Sequence, residues 1–185
     1  MPLITITAPA TEPVSLAEAR LHLKVDSTDD DTLISALITA VREQAEHRTG
    51  RAFITQTLEL VLDSFPAAFE LPQPPALAIT SVKYYDTNGA LQTMAASLYS
   101  LDSDSAPARL VPAYGEVWPA TYGIPNAVRV RYTAGYGAAG SDVPGAAKAW
   151  ILCALTFMYD NRGMPLPRDF MSGTLDSLVI GSRLF

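Results

Sequence analysis

The sequence predicts an α+β chain: a mainly helical core from the N- and C-terminal parts, with an antiparallel β region inserted between them. Three patterns predict it. Apolar residues recur at helical spacing between Asp31 and Gly50, and a second segment, Ala146 to Tyr159, is apolar nearly all round. Between them the period falls to two, as in Leu58-Glu59-Leu60-Val61-Leu62-Asp63. Each helical part is too small to cover its own apolar face. The simplest solution packs residues 137–180 on 13–52 and leaves 53–136 as the β insertion. Residues 1–12 then form an extended N-terminal arm and 181–185 a C-terminal tail.

Taken in order, the arm is rich in Thr, Pro and Ala. Ser15-Leu16-Ala17-Glu18 reads as a capping box that opens a short helix running to about Leu23. Asp29-Asp30-Asp31 precedes a stronger helix that Gly50 closes. At about 100° per residue, Leu33, Ile34, Leu37, Ile38, Val41 and Ala45 fall within an arc of about 140°, with Arg42, Glu43 and Glu46 assigned to the polar side. Ile79 to Asp86 and Ala90 to Met94 flank Asn88-Gly89, the signature of a hairpin. Leu98 to Asp102, Ala108 to Val111 and Ala127 to Ala134 are further strands. Asp142 is the expected cap of the apolar helix, Gly163 and Pro165 stop it, and a short segment from Thr174 to Ile180 leads to the tail. Leu33, Leu37, Val41, Trp150, Leu152 and Leu155 are the expected core.

Composition narrows the function. Apolar types make up 49% of the 185 residues and charged types 17%, against roughly 25% charged in an average soluble protein. So apolar a chain folds without staples, and disorder is excluded. The net charge of −6 argues against a domain that binds DNA by neutralising phosphates. One cysteine, Cys153, excludes an intramolecular disulfide and a multi-cysteine zinc site. The first residues lack the pattern of a signal peptide, and Ala149 to Tyr159 is too short to span a membrane. A soluble protein made in a reducing compartment is the expectation.

No catalytic constellation assembles. Gly135-Tyr136-Gly137-Ala138-Ala139-Gly140 matches the dinucleotide fingerprint, which makes a small-molecule- or nucleotide-binding α+β domain the alternative reading. No second strand with an acidic end follows, and Asp142 puts negative charge where a phosphate belongs. Asp26, Thr28 and Asp30 mimic the start of a calcium loop, but the required glycine and closing glutamate are missing. His22 and His47 read as a packed and a solvated residue, and Cys153 as a buried small hydrophobe. The expectation is no enzyme, no cofactor and no metal. What the inventory leaves over is apolar side chains near the ends: Leu3, Ile4 and Ile6, then Ile180, Leu184 and Phe185 beside Arg183. Either these fold onto their own domain or assembly buries them.

Pro13-Val14-Ser15-Leu16-Ala17-Glu18-Ala19 with Leu21-His22-Leu23 resembles the opening of the head–tail connector (adaptor, or head-completion) proteins of tailed phages. The likeness continues in Asp30-Asp31-Thr32-Leu33-Ile34, Ala45-Glu46-His47-Arg48-Thr49-Gly50-Arg51 and Val82-Lys83-Tyr84-Tyr85-Asp86. It resumes at Tyr132-Thr133-Ala134-Gly135-Tyr136-Gly137, Val143-Pro144 and Tyr159-Asp160-Asn161-Arg162. The resemblance implies a non-enzymatic structural subunit of a ring, usually of twelve copies, between the portal protein and the next tail component. DNA passes through such a ring without sequence-specific binding. It implies a place at the head–tail junction of the virion, after assembly in the bacterial host cytoplasm, with no membrane. Leu3, Ile4, Ile6, Ile180, Arg183, Leu184 and Phe185 are then the expected partner interface, the C-terminal end toward the portal.

Overall fold

The computed structural model describes residues 2–170 and divides the chain into two compact units, Met1–Pro9 with Thr55–Gly135 and Ala10–Ile54 with Tyr136–Phe185. In the second unit the helices are α1 (Leu16–Leu23), α2 (Asp31–Thr49) and α3 (Gly145–Asp160). The Ser15 hydroxyl accepts from the Glu18 amide at 3.2 Å while the Glu18 carboxylate accepts from the Ser15 amide at 2.8 Å, the reciprocal cap that fixes where α1 begins. Gly50 ends α2 at φ 63°, a left-handed conformation glycine adopts without a Cβ penalty.

The core of this unit joins Val14 and Ala19 to Ile34, Ile38, Val41 and Ala45 of α2, to Phe53 and Ile54, and to Trp150, Ile151, Ala154 and Leu155 of α3. Leu33, Leu37 and Leu152, all expected in the core, are only half-buried, as is Cys153. The buried stripe of α2 is the predicted arc rotated toward Arg42 and Glu46, both of which are buried. Asp142 does not cap α3. It closes a 3₁₀ turn, Gly140–Asp142, and Pro144 holds the cap position.

The first unit carries the strands. Its larger sheet has the order β1 (Leu3–Thr7), β2 (Gln56–Leu62), β8 (Val128–Ala134), β4 (Ala76–Tyr85) and β5 (Leu91–Thr93), antiparallel throughout. A smaller sheet has the order β3 (Phe69–Glu70), β7 (Arg109–Pro112) and β6 (Tyr99–Asp102). The β4–β5 turn is held by Asp86, whose carboxylate accepts from the amides of Asn88 and Ala90, with Gly89 at φ 78°. Opposite Leu58, Leu60 and Leu62 stand Tyr132, Val130 and Val128, and all six are buried.

These observations overturn the expectation of a mainly helical core. The fold is α+β, but Leu58, Leu60, Leu71, Val82, Leu110 and Tyr132 bury as fully as the helical residues do. The physical reason lies in the pairing of β2 with β8: it sets Leu58, Leu60 and Leu62 against Tyr132, Val130 and Val128, an apolar cluster that the separate alternations do not announce.

Candidate functional site

The glycine loop is packed against the protein's own chain. A Cβ on Gly137 would lie 2.1 Å from Oδ2 of Asp142, and that oxygen accepts from the Ala139 amide at 3.0 Å. The carboxylate therefore holds the position and the donor that a phosphate would need. At Gly140 a Cβ would come within 2.6 Å of the Pro13 carbonyl, and the Thr11 hydroxyl donates to the Ala138 carbonyl at 2.8 Å. Gly137 and Gly140 are there so that loop 136–142 can clasp the segment leading into α1. The chain has no room for a dinucleotide on these atoms.

The aspartates before α2 are likewise taken up internally. Asp30 accepts from the Tyr159 hydroxyl at 2.5 Å and from Arg162 at 3.1 Å, tying the start of α2 to the end of α3. The Tyr159 hydrogen bond, with help from Arg162, holds the Asp30 carboxyl below its ordinary range against the opposing effect of burial. Asp31 lies 3.5 Å from Arg20. His22 and His47 are exposed, so the expectation of a packed His22 does not hold.

Sequence reasoning missed the buried ion-pair network of this unit. Arg42 reaches Glu46 at 2.6 Å and Glu12 at 2.8 Å, with side chains 6%, 8% and 28% exposed respectively. The second Glu46 oxygen accepts from the Phe53 amide at 2.8 Å. Burial pushes the Glu46 carboxyl up, more than the Phe53 amide and Arg42 pull it down. Burial alone would lower Arg42, but Glu46 and Glu12 together raise it. The network binds three pieces of backbone: the segment before α1, α2 itself and the chain leaving Gly50. Its sequence signal was the i, i+4 spacing of Arg42 and Glu46 at the Ile38 edge of the apolar arc.

The expected interface residues divide in two. Leu3, Ile4 and Ile6 lie in β1, which pairs with β2 on one side and leaves its other edge open among the described residues. Leu3 is half-buried, while Ile4 and Ile6 are about 40% exposed. No charge or proline interrupts Leu3–Thr7 to protect that edge. Ile180, Arg183, Leu184 and Phe185, with the whole 174–180 segment, lie outside the described residues. Just before them, Arg48 donates to the carbonyls of Pro167, Arg168 and Phe170 and stacks over Trp150, fixing the chain after α3.

A second exposed apolar feature escaped the sequence reading. Tyr114 and Val117 stand in solvent in the loop between β7 and β8. The loop is anchored where Trp118 stacks on Phe65, ring centroids 4.8 Å apart, and donates to the Ala67 carbonyl. The only sequence signal was two large apolar residues in a Gly- and Pro-rich stretch.

This architecture is shared with proteins of known context. The family model described as phage gp6-like head-tail connector protein matches residues 13–105, half of the chain. The chain belongs to this head–tail connector family. Solved chains agree over nearly their full length, each comparison covering 99% of this chain and 95% of the other. One is from the neck of an empty gene transfer agent particle computed with C6 symmetry, at TM-score 0.79 and 26% identity. Another is from the neck of the native particle computed with C12 symmetry, at TM-score 0.74 and 26% identity. A third is from the virion of the native particle, at TM-score 0.77 and 24% identity, and shares the fold. No curated protein sequence matches the chain.

Proposed function

We propose that this connector protein is one subunit of a ring at the neck of a phage-like particle, joining the portal protein to a tail-side component around the path of the DNA. The observation that carries the reading is the family match together with full-length similarity to neck chains determined with C6 and C12 symmetry. Both symmetries suit twelve copies. The role is structural and non-enzymatic: the glycine loop and the aspartates that resembled ligand sites are occupied by the protein's own groups. A net charge of −6 suits a conduit that lets DNA pass without holding it. Assembly takes place in the host cytoplasm.

The ends of the chain supply the contacts. Ile4 and Ile6 on the open edge of β1 offer backbone donors and acceptors beside apolar side chains, which suits strand pairing with a neighbour. Ile180, Arg183, Leu184 and Phe185 form the contact with the portal. Deleting residues 181–185 leaves the melting temperature nearly unchanged and abolishes co-sedimentation with the cognate portal. Unfolding of the truncated chain would assign the tail to its own core, and normal portal binding would remove the tail from the interface.

A further inference from the structure

One sheet face of the β unit collects most of its cations. That unit holds four cationic side chains, Lys83, Arg109, Arg129 and Arg131, and seven carboxylates. In the larger sheet, Lys83 stands directly opposite Arg129, and Arg131 directly opposite Glu59, all on the face turned away from buried Val82, Val130 and Leu60. Three of the four cations thus share one sheet face with one of the seven carboxylates, a face buried at Glu59 and Val61 and exposed toward Lys83 and Arg129. The face carries a formal +2, and the rest of the unit −5.

The arrangement is costly within a single chain. Glu59 is buried and accepts from Arg129 at 2.9 Å and from Arg131 at 2.8 Å, which satisfies it. Burial pushes the Glu59 carboxyl up, but the two guanidiniums outweigh this and hold it below its ordinary range. Lys83 is exposed, makes no ion pair among the described residues, and faces a like charge across the strand pair, a destabilising placement. Arg129 and Arg131 remain 45% and 39% exposed, with donors left for another partner.

We propose that this basic face docks on exposed carboxylates of the β unit of the next copy in the ring, drawn from Asp63, Asp104 and Glu116, which are exposed and stand opposite no cation in the strand pairing. The inference rests on the ring proposed above. A rotational ring makes heterologous contacts, so any surface needs its complement elsewhere on the same chain. The −5 carried by the rest of the unit meets that requirement, while two basic faces would repel in a two-fold dimer. Glu59 damps the field of the arginines, which favours a protein partner over a polyanion.

The test is Lys83→Glu in the full chain, with assembly followed by light scattering and electron microscopy, alone and with the cognate portal. The variant should fold with an unchanged or raised melting temperature, because a carboxylate at position 83 would relieve the clash with Arg129. Its half-assembly concentration should nevertheless rise at least about tenfold at low salt, with the gap closing as salt increases. Rings forming like wild type would overturn the proposal. So would normal rings that lose retention of a short DNA duplex, which would assign the face to DNA. A wild-type chain that never forms a ring, with or without portal, would instead overturn the ring itself.

Discussion

Replacing Arg42 by alanine tests the buried network most sharply. Arg42 is 6% exposed and neutralises Glu46, itself 8% exposed, while also holding Glu12. Removing one partner of a buried pair takes the compensating charge from the other and costs about 3–5 kcal/mol. Glu12 is 28% exposed and can turn to water, so most of the penalty falls on Glu46. The three α-helices among the described residues belong to one unit, so urea unfolding followed by helical circular dichroism reports that unit directly. We expect Arg42→Ala to lower its stability by about 3–5 kcal/mol. Arg42→Leu with Glu46→Leu should be less destabilised than the single change, since both charges of the pair leave the buried site together, although the Phe53 amide then loses its Glu46 acceptor at a cost of about 1–3 kcal/mol. A loss below about 1 kcal/mol for Arg42→Ala would refute the argument, because removing the guanidinium that meets the buried Glu46 carboxylate at 2.6 Å cannot be that cheap.

Three further outcomes follow from the geometry. Ile34→Ala removes a fully buried side chain and should cost about 2–5 kcal/mol in the same assay, whereas half-buried Leu37→Ala should cost clearly less; equal losses would place Leu37 in the core after all. Gly137→Ala should lower the melting temperature, because its Cβ would displace the Asp142 carboxylate from Ala139; an unchanged temperature would show that the loop yields freely. The Ser15 amide, Lys148 and the Ser15 hydroxyl lower the Glu18 carboxyl to about 2, so it contributes stability above its unfolded value near 4.5 that is lost as pH falls through about 2. Acid titration of helical signal should therefore differ between wild type and Glu18→Gln between those pH values, and coincident curves would remove Glu18 from the acid response.

How much of this was legible depended on whether a signal was local. The ends of α1 and α2 were, because Ser15, Glu18 and Gly50 act on backbone within a few residues. The β4–β5 hairpin was, because Asp86 and Gly89 build its turn. The face of α2 was not fully legible: which flank of an apolar arc goes inward depends on Glu12, thirty residues away from Arg42. The second core was missed for a similar reason. Period two marks a strand, but the apolar cluster that β2 builds with β8 depends on a register between segments some seventy residues apart. The assembly features were the least legible, since the exposure of Tyr114 and the crowding of Lys83 against Arg129 exist only once strands pair. The family was visible because many individually weak segments occur in one order along the chain.

The most direct test of the connector assignment is single-particle imaging of the full chain mixed with its cognate portal. We expect a ring of twelve copies stacked coaxially on the portal, with the lumen open. Portal particles without added density, beside a chain that remains monomeric at every concentration, would contradict it.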